Sequence, residues 1–164
     1  MSETAPLAET VAAWAEAWRA RAAARLIALW DHADGESCYL AADSRAAYRG
    51  PAVVGLIQRV ILAAAAIDYR PGPLHLRRLA PELGLAFFPL IRTERPASPQ
   101  FDDATPVGRR VRVTMLMRQA AGRWRVFHYA EAPLAPLLEL QAYYEAVAAD
   151  GLDAMPRAAP EPQP

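Results

Sequence analysis

The sequence predicts an α+β fold, a curved and mostly antiparallel sheet with helices packed on one face, and three observations carry that expectation. First, Val107 to Pro133 reads as two long antiparallel strands joined by a turn at Gly122. Val111, Val113, Met115 and Met117 alternate with Arg110, Arg112, Thr114, Leu116 and Arg118, the period of two of a pleated strand. Second, bulky residues stand on both faces of the return strand, where Phe127, Tyr129 and Glu131 alternate with Trp124, Val126, His128 and Ala130. A sheet with one wet face does not need that, so one face should pack on helices and the other on a second sheet or a second subunit. Third, helical periodicity comes early in the chain and the long strands come late.

The elements follow in order. Ser2 or Thr4 suits the cap of the first helix and Pro6 its first turn. Leu7, Val11, Trp14 and Trp18 then form a narrow apolar stripe that must be buried. Leu26, Leu29 and Trp30 put a similar stripe on a second helix, followed by loop chemistry from Asp31 to Glu36. Ser37 to Ala41 reads as a short strand with Tyr39 facing opposite to Cys38 and Leu40. Gly50 and Pro51 open a third helix that carries Val53, Ile57, Val60, Ile61 and Ala64 on one side. Pro71 and Pro73 confine the start of the next strand, Leu74 to Leu79, to an edge or bulge. LGLAFFPLIRTER is a strand with Pro89 inside it, where a bulge or kink is expected. Pro96 to Pro106 is a loop, and a C-terminal helix at 134–149 carries Leu137, Leu140, Tyr144 and Val147 before Gly151 ends it. A single domain over 1–150 and a Pro-rich, disordered tail over 151–164 complete the layout.

Composition narrows the function. The 164 residues fit one core, and 54% hydrophobic with 22% charged residues is a globular balance. Eighteen basic and 18 acidic residues leave no net field to attract nucleic acid or anionic lipid. Every basic residue except the three histidines is Arg; with no Lys, Schiff-base and Walker-type chemistry are excluded. The single Cys38 forbids an intrachain disulfide, no secretory pattern precedes the first helix, and the longest apolar run, Ile61 to Ile67, is too short to span a bilayer. A cytoplasmic protein is expected. His32, His75 and His128 are far apart, with no Cys or carboxylate at ligand spacing, so neither a metal nor a cofactor is expected. There is no nucleophile elbow and no Gly-rich phosphate loop.

The segment RVTMLMRQAAGRWRVFHYAEAP carries a family resemblance. Arg112-Val113-Thr114, the Gly122-Arg123-Trp124 turn, and an aromatic, His-containing strand ending in Ala132-Pro133 resemble the last two strands of the SnoaL-like proteins in the nuclear-transport-factor-2-like (NTF2-like) superfamily. The order of elements over roughly residues 7 to 133 agrees. The resemblance implies a cone-shaped barrel in which N-terminal helices close a pocket, and a fold that hosts isomerases, cyclases, dehydratases and oligomerisation modules. Ketosteroid-isomerase-like relatives place a catalytic Asp at the end of the first short strand. Here that region reads Tyr39, Leu40, Ala41, with Asp43 the nearest acid.

If the face with Val113 and Met115 is the concave one, alternation adds Phe127, Tyr129 and Glu131 from the hairpin partner, and Arg77, Leu79 and Phe88 from the neighbouring strands. Trp14, Trp18 and Tyr39 would close over it. An apolar, aromatic site with a few convergent polar groups is what a small-molecule pocket looks like. The candidate proton carriers are Glu131, Tyr129 and Asp31; the candidate ligand contacts are Trp14, Trp18, Tyr39, Arg77, Phe88, Met115 and Phe127. Glu131 reads equally as a general base, the fixed partner of Arg77, or a solvated strand-end carboxylate. Trp14 and Trp18, at helical spacing, read as plain core before they read as a ligand clamp. Two classes of function stay open: an acid–base enzyme acting on a small apolar molecule, and a non-catalytic binding or association module. Trp124, Val126 and His128, on the face the helices leave uncovered, predict a homodimer through the outer sheet face.

Overall fold

The structure, a computed structural model, describes residues 3–97 and 105–134. The expected helix at 134–149 and tail at 151–164 lie outside the described residues, apart from Leu134. Within them the chain forms α1 (Ala5–Arg19), α2 (Ala23–Leu29), β1 (Cys38–Leu40), β2 (Tyr48–Arg49), α3 (Pro51–Ala63), β3 (Ala64–Pro71), β4 (His75–Ala80), β5 (Leu83–Pro96), β6 (Val107–Ala120) and β7 (Arg123–Pro133). The strands make one sheet in the order β2-β1-β7-β6-β5-β3, with β4 also on β5. All pairs are antiparallel except β1 with β7. The path is open, so the expected barrel closure is not seen. No helix among the described residues is long and apolar enough to cross a membrane.

The helices lie on the face that carries the core. Leu7, Val11, Trp14 and Trp18 of α1 are buried, as their spacing requires, and they meet Tyr69 from β3, Phe88 from β5, Met115 from β6 and Tyr129 from β7 in one cluster. Gly84 lets α1 sit close, since a Cβ there would meet the Leu7 side chain at 2.5 Å. The β6–β7 hairpin turns at Ala121 and Gly122, both at positive φ (51° and 73°), the backbone of a two-residue hairpin loop matched to strand twist.

Three expectations change. The Ala-rich run after Ile61 reads as helix, but α3 ends at Ala63 and the chain goes straight into β3. Ile67 and Tyr69 are buried there on alternate positions, so packing of those two side chains overrides the helical propensity of alanine. Pro89 causes no bulge: β5 pairs with β6 in unbroken register from Leu83 to Glu94. Pro89 instead falls between the β3 and β4 pairings, where its carbonyl accepts the Gly72 N–H at 2.7 Å and its missing N–H interrupts no ladder bond. The bulge lies in the hairpin. Leu116 pairs with His128 and Met117 with Val126, leaving Phe127 with no opposite residue. One extra residue flips the side-chain alternation upstream of it.

That flip corrects both the pocket and the outer patch. Val126, expected outside, is fully buried, and Trp124 packs against the core under the Arg78 guanidinium. Phe127, expected in the pocket, is in contact with Arg118, whose guanidinium carbon stands 5.0 Å from the ring centre. Of the three residues expected on the outer face, only His128 is there, opposite Leu116. Arg77 and Leu79 also fall on the outer side: Arg77 pairs with Leu85 on β5, and Phe88 faces the core as expected.

Candidate functional site

The helix-covered face holds an unusual amount of polarity. Glu131, near the end of β7, is buried, with no exposed side-chain surface. Its Oε1 accepts the Tyr129 hydroxyl at 3.0 Å and its Oε2 accepts the Ala42 N–H at 3.1 Å. The Tyr129 and Tyr69 hydroxyls are 2.6 Å apart, so β7, β3 and the chain after β1 are joined through one carboxylate. Arg92 on β5 supplies the charge partner that Arg77 was expected to be. Its Nη1 is 3.7 Å from Glu131 Oε1, its Nε is 2.5 Å from Glu94 Oε1, and its guanidinium lies over the Trp18 ring at 4.9 Å. A buried carboxylate without a countercharge is costly, and Arg92 with the Tyr129 and Ala42 donors provides what Glu131 needs.

Around this group the aromatic rings pack edge to face and face to face. Tyr39 stacks on Tyr129 at 4.5 Å, Trp18 on Tyr69 at 6.4 Å, and Trp14 touches Trp18, Trp30 and Tyr129. Burial, reinforced by the Glu131 charge, pushes the Tyr39 phenol well above the ordinary tyrosine range. Tyr129 is pushed up by burial and by its neighbours Tyr69, Tyr39 and Glu131. Both are therefore neutral phenols at physiological pH, donors rather than bases. Burial works against the Arg92 charge, but Tyr39, Glu94 and Glu131 outweigh it and raise its pKa above that of a free arginine.

A cavity of about 620 Å³ lies beside this layer, a size that suits a small molecule. The segment from Ala41 to Tyr48 forms one wall, Leu56 and Val60 of α3 another, and Trp18, Tyr39, Arg92 and Glu94 the floor. At the rim Arg109 holds Asp43 at 2.8 Å. Burial raises the Asp43 carboxyl, but the Arg109 hydrogen bond and charge prevail and leave it below its usual value.

Of the sequence-predicted site residues, Trp18 and Tyr39 border this cavity. Glu131 and Tyr129 stand in the layer behind Arg92, while Trp14, Phe88 and Met115 are packed core with no exposed surface. Asp31 is elsewhere: its backbone N–H donates to Val126, and its carboxylate accepts Arg118 Nε at 2.5 Å, beside a second Arg118 bond to Asp34. Arg77 and Phe127 do not reach the cavity. The residues that sequence reasoning missed are Arg92, Glu94, Asp43 and Arg109. Arg92 was legible, since Phe88, Leu90 and Arg92 continue one period of two; the bulge expected at Pro89 interrupted that count. Among the described residues no group of three His, Cys, Asp or Glu is placed to hold a metal.

Comparison with known proteins places the fold. A candidate dehydratase of the NTF2-like family from Streptomyces avermitilis superposes with a TM-score of 0.71 at 16% identity, covering 80% of this chain and 96% of its own. A candidate scytalone dehydratase from Novosphingobium aromaticivorans gives 0.69 at 8% identity, covering 81% and 85%. A candidate calcium/calmodulin-dependent protein kinase II association domain from Xanthomonas campestris gives 0.68 at 10% identity, covering 84% and 91%. At such identities these likenesses show the NTF2-like fold and nothing of activity. No curated protein matches the chain. The SnoaL-like domain profile matches residues 7–136, the stretch that builds the three helices, the sheet and the cavity, and the chain belongs to that SnoaL-like family.

Proposed function

We propose that this chain binds a small, largely apolar molecule in the cavity beside Arg92 and performs acid–base chemistry on it, of the isomerase, cyclase or dehydratase kind. The observation that carries the reading is the buried guanidinium of Arg92 on the cavity floor, with the neutral phenol of Tyr39 and the carboxylate of Glu94 on the same floor. A phenol and a guanidinium stabilise charge that develops on an oxygen, and a carboxylate takes a proton from a neighbouring atom. Glu94 replaces Glu131, Tyr129 and Asp31 as the proton acceptor. Glu131 and Tyr129 act as positioning residues, since their polar atoms are already committed to Arg92, Tyr69 and Ala42.

The non-catalytic reading has one specific observation in its favour: Glu94 Oε1 already lies against Arg92 Nε, so the carboxylate is occupied by a partner of its own. Ligand-observed NMR of a fragment mixture on the full chain separates the two. Hits should vanish when Leu56→Trp fills the cavity at unchanged melting temperature. Hits with an acidic C–H should exchange it for deuterium in D2O on the wild type but not on Glu94→Gln. Binding without exchange supports the binder; hits that persist in Leu56→Trp remove the site.

A homodimer through the outer sheet face belongs to the same proposal, on different residues from those expected. Phe87 and Ile91 of β5 are 40% and 39% exposed on that face, with the half-buried Leu85 and Leu116 beside them. Exposed apolar surface of this kind favours a partner. Sedimentation should give twice the chain mass at micromolar concentration and a monomer for Phe87→Arg; a wild-type monomer would refute the dimer.

A further inference from the structure

We infer that the ligand of this cavity carries one carboxylate and binds in one direction, with its apolar body inward and its acid end at the mouth, between Arg45 and Arg109. The inference rests on the small-molecule reading above and deepens it by naming the ligand class, an amphipathic organic acid.

The uneven distribution of charge sets the direction. The floor holds Arg92 with Glu94, and Glu131 stands directly behind Arg92, so one cation faces two carboxylates. An acid end driven to that depth would lose its water beside two like charges. The mouth has the opposite balance. Arg45 and Arg109 border it with Asp43, and the Tyr48 ring in the same wall carries the exposed Arg59 guanidinium at 5.7 Å. Arg109 holds Asp43, whereas Arg45 and Arg59 meet no carboxylate at ion-pair distance among the described residues. Taken together, four arginines meet three carboxylates, and the surplus is at the open end. A single negative charge completes the set. An ammonium would meet the cationic mouth first, and a dianion would bring more charge than the surplus offsets.

Arg109 supplies the second argument. It lies directly opposite Arg92 across β5 and β6, a pairing of like charges that destabilises a sheet unless each finds a counterion. Arg92 has two, Glu94 and Glu131. Arg109 has Asp43, which rides on the segment between β1 and β2 with its side chain 65% exposed. The edge of the cavity thus already seats a carboxylate on Arg109, and a ligand carboxylate can take or share that place with Arg45 as its second donor. A lone exposed arginine holds an acid weakly. Here Leu56, Val60 and the Trp18 ring anchor the apolar body, so the acid end is delivered to two guanidinium groups, each with paired N–H donors.

The test uses one ring system with four ends: naphthylacetate, its methyl ester, naphthylethylamine and naphthyl phosphate. Binding is measured on the full chain at neutral pH by calorimetry and ligand-observed NMR. Naphthylacetate should bind at least about fivefold tighter than the ester and the amine at low salt, and the margin should shrink as salt is added. Arg45→Gln should reduce the margin and the double variant with Arg109→Gln should erase it, with ester binding and melting temperature unchanged for Arg45→Gln. Asp43→Asn removes the competing carboxylate and should tighten naphthylacetate by about threefold. An ester or amine that binds as tightly as the acid, a phosphate that binds more tightly, or an acid preference that survives the double variant would overturn the inference and leave the small-molecule reading intact. So would a weaker acid affinity in Asp43→Asn, or failure of the four probes beside fragment hits that are not acids. Failure of the four probes together with an empty fragment screen would overturn the small-molecule reading itself.

Discussion

Replacing Arg92 by Met tests whether the buried charge layer is held together as described. The side chain is 5% exposed in the wild type, its partner Glu131 is 0% exposed and Glu94 is 23% exposed. Met keeps much of the volume and removes the cation that pairs with Glu131. Breaking a buried pair from one side costs roughly 3–5 kcal/mol, because the remaining charge is stranded. The lost stacking on Trp18 adds about 1 kcal/mol. At 2–4 °C per kcal/mol for a chain of this size, the melting temperature should fall by about 10 °C or more. Adding Glu131→Gln should restore at least half of the loss, since the stranded charge is then gone. Denaturant melts of the wild type, both single variants and the double variant at neutral pH give the full cycle. A loss below 1 kcal/mol for Arg92→Met, or a double variant less stable than either single, would refute the ion-pair account.

Three further outcomes follow from particular contacts. Burial lowers the pKa of His128 below 6.5, so its neutral form is favoured in the fold; that stabilisation is present above pH 6.5 and is lost as pH falls through the lowered value. His128→Gln should flatten the wild-type decline between pH 7 and 5 in thermal melts, and an unchanged slope would show that other groups cause it. Gly50 sits at φ 46° with its Cβ position 2.7 Å from the Gly35 carbonyl oxygen, so Gly50→Ala should cost about 1–3 kcal/mol by denaturant melt; a neutral change would mean that the Gly35 turn yields freely. Tyr129→Phe removes the hydroxyl shared by Tyr69 and Glu131 and should cost about 1–3 kcal/mol, and Tyr69→Phe added to it should cost less than its own single-variant loss, because the bond between them is already gone. Full additivity in that cycle would contradict the 2.6 Å contact.

Much of this protein is legible as periodicity. The helical stripe of Leu7, Val11, Trp14 and Trp18, the alternation of Val111 to Met117, and the turn at Gly122 each declare an element and a buried face, because burial acts on local repeats of 3.6 and 2. Period also puts Tyr39, Phe88, Tyr129 and Glu131 on the inner face. What the sequence could not decide is where that period is reset and which charges meet. A single extra residue at Phe127 moves Val126 into the core and takes Phe127 out of it, and no residue type near the bulge announces it. Pro89 looks like a break but is harmless, since its missing N–H falls between two strands that share one edge of β5. Arg92 is one of 18 identical cations in the sequence; only the sheet register that sets it beside Glu94 and Glu131 makes it the centre of the site. Local pattern thus determined the elements and the inner face. The cavity and its charge layer were decided by tertiary structure, because they depend on strand register and on pairings between residues dozens of positions apart.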